Sequence, residues 1–134
     1  ESVTSTAKRH PARISYRMGL TREGRITAVS FEMLSDGGAY GMATEGVMRK
    51  AAILSLGPYA IPNLQIDTRG VYTNNTPSGA FRTFGAMQSQ FATESMMDIA
   101  AGRLGLEAAF RARKPGTKKA RAMREDIGPG PWDG

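Results

Sequence analysis

The sequence predicts an α+β fold: an antiparallel or mixed sheet packed against two main helices, with a disordered basic tail at the C-terminus. Three observations carry this reading. Apolar and polar residues alternate over three separate stretches, and two further stretches have helical composition. Glycine or proline falls at most of the boundaries between them. At 134 residues, the chain is long enough to bury one real core.

The elements follow in order. From Ala12, Ile14, Tyr16, Met18 and Leu20 alternate with Arg13, Ser15 and Arg17, which predicts a half-buried strand near 12–21. "TREGR" then supplies Gly24 for a short hairpin loop, and a return strand runs to about Leu34. In "SDGGAYG", residues 35–41, three glycines permit either a sharp turn or a close approach of backbone; the turn is the commoner use. Val47, Met48, Ala51, Ala52 and Leu54 give residues 45–56 a broad apolar helical face, and Gly57-Pro58 stops it. Leu64, Ile66, Thr68 and Gly70 alternate with Gln65, Asp67 and Arg69, predicting a strand near 64–73. A long helix over 86–104 ends near Gly105; alanines and methionines cover most of it, and Gln90, Glu94 and Asp98 line a polar edge. Residues 1–110 form the expected domain, with a short helix over Glu107–Arg113, and residues 111–134 form a basic, Gly/Pro-rich tail.

Composition excludes several functions. There are no cysteines, so disulfides and thiolate metal sites are ruled out, and His10 as the single histidine rules out a histidine cluster. An organic cofactor whose metal is held by non-protein ligands remains open. The net charge of +6 is concentrated in the tail, at Arg111, Arg113, Lys114, Lys118, Lys119, Arg121 and Arg124. Such a run is usually solvated, which argues against specific nucleic-acid binding and leaves weak counterion-release attraction to polyanions. No apolar run reaches membrane-spanning length. No signal peptide is visible, so a cytoplasmic location is expected; the chain begins at Glu1, and an excised piece of a longer protein is expected.

The stretch "PSGAFRTFGAMQ", residues 77–88, carries the chemistry. It is a strand-to-helix junction in which Gly79 and Gly85 allow close backbone approach. Free amides at the start of the following helix, together with Arg82, make an anion site: a dipole end, unpaired N–H donors and a two-pronged guanidinium. Phe84 can offer its face to a flat ligand. A plainer alternative makes both phenylalanines core and pairs Arg82 with Glu94 or Asp98. The spacing is not that of a phosphate-binding P-loop.

The ordered blocks "GRITAVSFEMLSDGGAY", "GPYAIPNLQIDTRGVYTNNTPSGAFRTFGAMQ" and "ATESMMDIAAGRLGL" strongly resemble the molybdenum-binding large subunit of the xanthine dehydrogenase/aldehyde oxidase family. The likeness runs from His10 to Leu106, and "AFRTFG" followed by Gln88 is its most specific element. The resemblance implies part of a first molybdopterin-binding domain. The whole enzyme would hydroxylate aldehydes or aromatic heterocycles with water's oxygen. It also implies a molybdenum-molybdopterin cofactor, iron–sulfur and flavin (FAD) partner domains or subunits, the remainder of the large subunit as partner, and a homodimer. Arg82 matches the arginine beside the molybdenum centre, with the backbone of Phe81, Thr83 and Gly85 facing the metal's ligands. Phe84 matches a substrate-stacking phenylalanine. Lys50 falls where xanthine enzymes place a substrate-orienting arginine; it keeps the charge without the planar fork, which counts against a purine substrate. Thr83 stands where copper-containing carbon monoxide dehydrogenases carry cysteine, which counts against that chemistry. The family's general-base glutamate and glycine-rich metal-site loop have no counterpart here, so no catalytic residue is assigned and the isolated chain is expected to be inactive. The alternative function is a non-catalytic interaction module whose basic tail meets an acidic partner.

Overall fold

The computed structural model describes residues 6–105. The chain forms β1 (Ala12–Leu20), β2 (Ile26–Gly38), α1 (Thr44–Leu54), β3 (Leu64–Tyr72) and α2 (Ala86–Leu104). The proposed helix at 107–113 and the tail at 111–134 lie outside the described residues.

The sheet is mixed, in the order β1-β2-β3. β1 and β2 form the expected hairpin, with Tyr16 opposite Phe31, whereas β3 runs parallel to β2, with Ile66 beside Phe31. An all-antiparallel sheet therefore fails at β3. Parallel neighbours need a crossover of a dozen or more residues, and the segment containing α1 supplies it.

A second correction concerns "SDGGAYG". Ser35–Gly38 continue β2 instead of turning. Gly38 has φ +71°, and a Cβ there would stand 2.6 Å from the Thr76 carbonyl oxygen and from Pro77 Cα. Close approach, the less common use of glycine, is the one found.

Alternation puts Val29, Phe31 and Met33 on the helix-covered side of β2. Phe31 is 0 % exposed. It meets Val47, Met48 and Ala51 of α1, and its ring contacts Tyr16 edge-on at 5.9 Å. Ile26 and Val29 pack on Met97 and Ala101 of α2. The helices are also tied through polar groups. Gln90 Nε2 donates to the Leu54 carbonyl, which also takes the Gly57 amide (3.3 Å), and Thr93 Oγ1 donates to the Ser55 carbonyl just past α1. Among the described residues, no helix is long and apolar enough to cross a membrane.

Candidate functional site

The site lies between the end of β3 and the start of α2. Asp36, near the end of β2, anchors the loop leading into it. Its carboxylate accepts from Thr73 Oγ1 (2.6 Å), the Gly38 amide (2.8 Å) and Asn75 Nδ2 (2.5 Å). The Thr73 and Asn75 bonds, then the Gly38 amide, hold its pKa below the ordinary carboxylate value, with a smaller contribution from His10. Further on, the Ser78 amide donates to the Gly37 carbonyl (3.1 Å) and the Gly79 amide to the Lys8 carbonyl (2.9 Å).

Past this anchored loop the backbone becomes unusual. Thr83 (φ 69°), Phe84 (φ 52°) and Gly85 (φ 95°) form a left-handed run of three residues. For a side-chain-bearing residue that conformation costs about 1–2 kcal/mol, so the surroundings must impose it. Four contacts do so. Gly85 is seated so closely on α1 that a Cβ would run into the Val47 carbonyl. The Phe84 ring rests against Gly46, where a Cβ would meet it at 3.1 Å, and joins the Phe31 cluster. The Ala86 amide donates to the Thr83 carbonyl (3.1 Å) and the Met87 amide to Thr83 Oγ1 (3.3 Å).

The amides of Arg82, Thr83, Phe84 and Gly85 find no acceptor among the described residues. They stand at the N-terminal, positive end of a 19-residue helix. Arg82 is exposed and pairs with neither Glu94 nor Asp98. Glu94 instead accepts from the Tyr59 hydroxyl (3.0 and 3.1 Å). The plainer alternative for Arg82 therefore fails. It holds in part for the rings: Phe84 is half-buried against the core, while Phe81 is 47 % exposed.

The structure thus brings Phe81, Arg82, Thr83, Phe84 and Gly85 together. Lys50 is exposed on α1, one turn past the Gly46 on which Phe84 rests. No group of three or more His, Asp or Glu side chains among the described residues is arranged to hold a metal ion. What the loop offers is a set of donors to an anion.

Three residues that matter here escaped sequence reasoning. Asp36 sits in a stretch expected to turn. Arg9 donates from Nη1 to the Arg82 carbonyl (3.3 Å), with its guanidinium 5.1 Å above the Phe81 ring. His10 is 2 % exposed, and its Nε2 shares a hydrogen bond with Thr44 Oγ1 (2.8 Å). Burial holds its imidazole below the usual pKa, against a smaller upward pull from Asp36. A run of charge ending in "HP" was the one available sign of these partners.

A mixed sheet under two helices, with a strained, amide-rich turn at the foot of α2, defines a domain suited to a bound anionic group. The family profile described as "Molybdopterin cofactor-binding domain" matches residues 1–114. The chain belongs to that family. It is 42 % identical over 107 residues to the nicotinate dehydrogenase large molybdopterin subunit of Eubacterium barkeri, covering 80 % of this chain and 25 % of that protein. It is 37 % identical over 114 residues to a probable xanthine dehydrogenase subunit of Bacillus subtilis, covering 85 % and 15 %. Among solved structures, the aldehyde oxidoreductase of Desulfovibrio gigas superposes with a TM-score of 0.72 at 32 % identity, covering 84 % of this chain and 13 % of that one. The resemblance read from the sequence blocks is borne out. The chain spans a quarter or less of each of these proteins.

Proposed function

We propose that the Arg82–Gly85 turn holds the anionic face of a molybdenum-molybdopterin cofactor. The whole protein would be a molybdenum hydroxylase acting on aldehydes or aromatic heterocycles. One observation carries this reading: four successive amides that find no acceptor among the described residues belong to a turn held in a costly conformation, and the exposed Arg82 on that turn pairs with no described carboxylate. That donor set fits the oxo, dithiolene and phosphate groups of such a cofactor. The cofactor, when bound, supplies the redox chemistry that places water's oxygen on the substrate. The residues of this chain do the rest. Arg82 and the backbone of Phe81, Thr83 and Gly85 grip and orient the anion, Phe84 presents an aromatic face to a flat substrate, and Lys50 supplies a cation near its edge. Relatives described as a large molybdopterin subunit and as a xanthine dehydrogenase subunit support partner subunits, which by family resemblance carry iron–sulfur clusters and FAD.

The test is Arg82→Ala in the full-length protein. Losing one donor from a preorganised site costs on the order of 3–4 kcal/mol of transition-state stabilisation. Turnover should fall about a hundredfold to a thousandfold at full molybdenum content. Arg82→Lys should fall between, because it keeps the charge but not the fork. Undiminished turnover in the alanine variant would remove Arg82 from the site.

A further inference from the structure

Residues 8–11 touch the loop and the elements around it in turn. The Lys8 carbonyl takes the Gly79 amide (2.9 Å), and Lys8 forms a β-bridge with Ser78. Arg9 holds the Arg82 carbonyl (3.3 Å) and covers Phe81 at 5.1 Å. The His10 carbonyl takes Gln88 Nε2 (3.4 Å), while its ring reaches Thr44 of α1. The Pro11 carbonyl takes the Asp36 amide (2.9 Å).

We propose that Arg9 is a positioning residue that aims the amides of the Arg82–Gly85 turn. This rests on the reading of that turn as the cofactor's anion site. In a trans peptide the carbonyl of one residue and the N–H of the next lie in one plane and point in opposite directions. By holding the Arg82 carbonyl, Arg9 turns the Thr83 amide the opposite way, away from Arg9. The same guanidinium lies over Phe81, one residue before Arg82, so the contact fixes the approach to the turn at two points. Its positive charge also adds to the potential that an anion meets there. Arg9 itself need not touch the cofactor.

The experiment uses the full-length protein with Arg9→Ala and Arg9→Lys variants, read by amide hydrogen exchange and by molybdenum content. The amides of Ala86 and Met87 bond back to Thr83 and report on the turn. In Arg9→Ala their exchange should rise about tenfold or more, with Met97 and Ala101 in the body of α2 unchanged, and molybdenum content should fall severalfold. Arg9→Lys keeps a cation over Phe81 and one donor, and should restore most of both. Wild-type exchange at Ala86 and Met87 in Arg9→Ala would overturn the proposal. So would a rise spread evenly along α2 in both variants. Wild-type protein purified without molybdenum after expression with cofactor supply would instead overturn the cofactor reading, while the exchange data would still decide the role of Arg9.

Discussion

Gly85 has two reasons to be glycine. Its φ of +95° is a conformation that side chains resist, and a Cβ would press on the Val47 carbonyl of α1. Gly85→Ala should therefore combine left-handed strain with overpacking and destabilise the protein by about 2–4 kcal/mol. A lowered urea midpoint would show it, and an unchanged midpoint would mean that the turn relaxes easily. This part of the site was legible in the sequence, because glycines bracketing Phe-Arg-Thr-Phe at a strand-to-helix junction already point to close approach and free amides. Arg9 and His10 were not. They reach their partners across 73 and 78 residues, and no local pattern records a contact that distant.

Between elements, one buried hydroxyl helps to tie α2 to the end of α1. Thr93 is fully buried and donates to the Ser55 carbonyl. Thr93→Val should preserve shape but leave that acceptor without its side-chain donor, costing about 1–3 kcal/mol in urea unfolding. Phe31→Ala, which removes a wholly buried ring, should cost more, about 3–5 kcal/mol. His10 links α1 to the site in a pH-dependent way. Its folded pKa lies below 6.5, so burying it neutral contributes stability that is complete above about pH 6.5 and is lost as pH falls through the lower folded value. Asp36 titrates in a separate window: its contribution is complete above about pH 3.8 and is lost below. His10→Gln should flatten the stability profile just below pH 6.5 and leave the acid limb in place. The strands and α2 were legible because alternation and glycine stops are local signals. The continuation of β2 through Gly37 and Gly38 was not, since residues without side chains carry no alternation. Nor was the parallel pairing of β3 fixed by any strand pattern, since it depends on which way the crossover returns.

At the scale of the molecule, several large apolar side chains are exposed, among them Phe91 at 74 % and Tyr72 at 78 %. In relatives of which the matched part is a quarter or less, there is further polypeptide to cover such surface. Residues 1–134 match a quarter or less of those relatives, so the proposed site would need the rest of the protein to close it. The chain of residues 1–134 alone should retain free molybdopterin cofactor poorly on gel filtration, whereas the full-length protein should keep it; equal retention would show that this domain suffices.

The contacts of residues 8–11 also place the site in time. The hairpin of β1 and β2 is closed by a short loop and can form within about 1–10 μs of its residues becoming free. Arg9 must wait for Arg82, and His10 for Gln88. At roughly 5–20 residues per second of synthesis, that wait is several seconds to well over ten. Bringing ends some 70 residues apart together then costs roughly 4 kcal/mol in chain entropy before any contact forms. The segment that leaves the ribosome early is thus the one that finishes the site late. A cofactor arriving before residue 88 is made would find the sheet but not the proposed site.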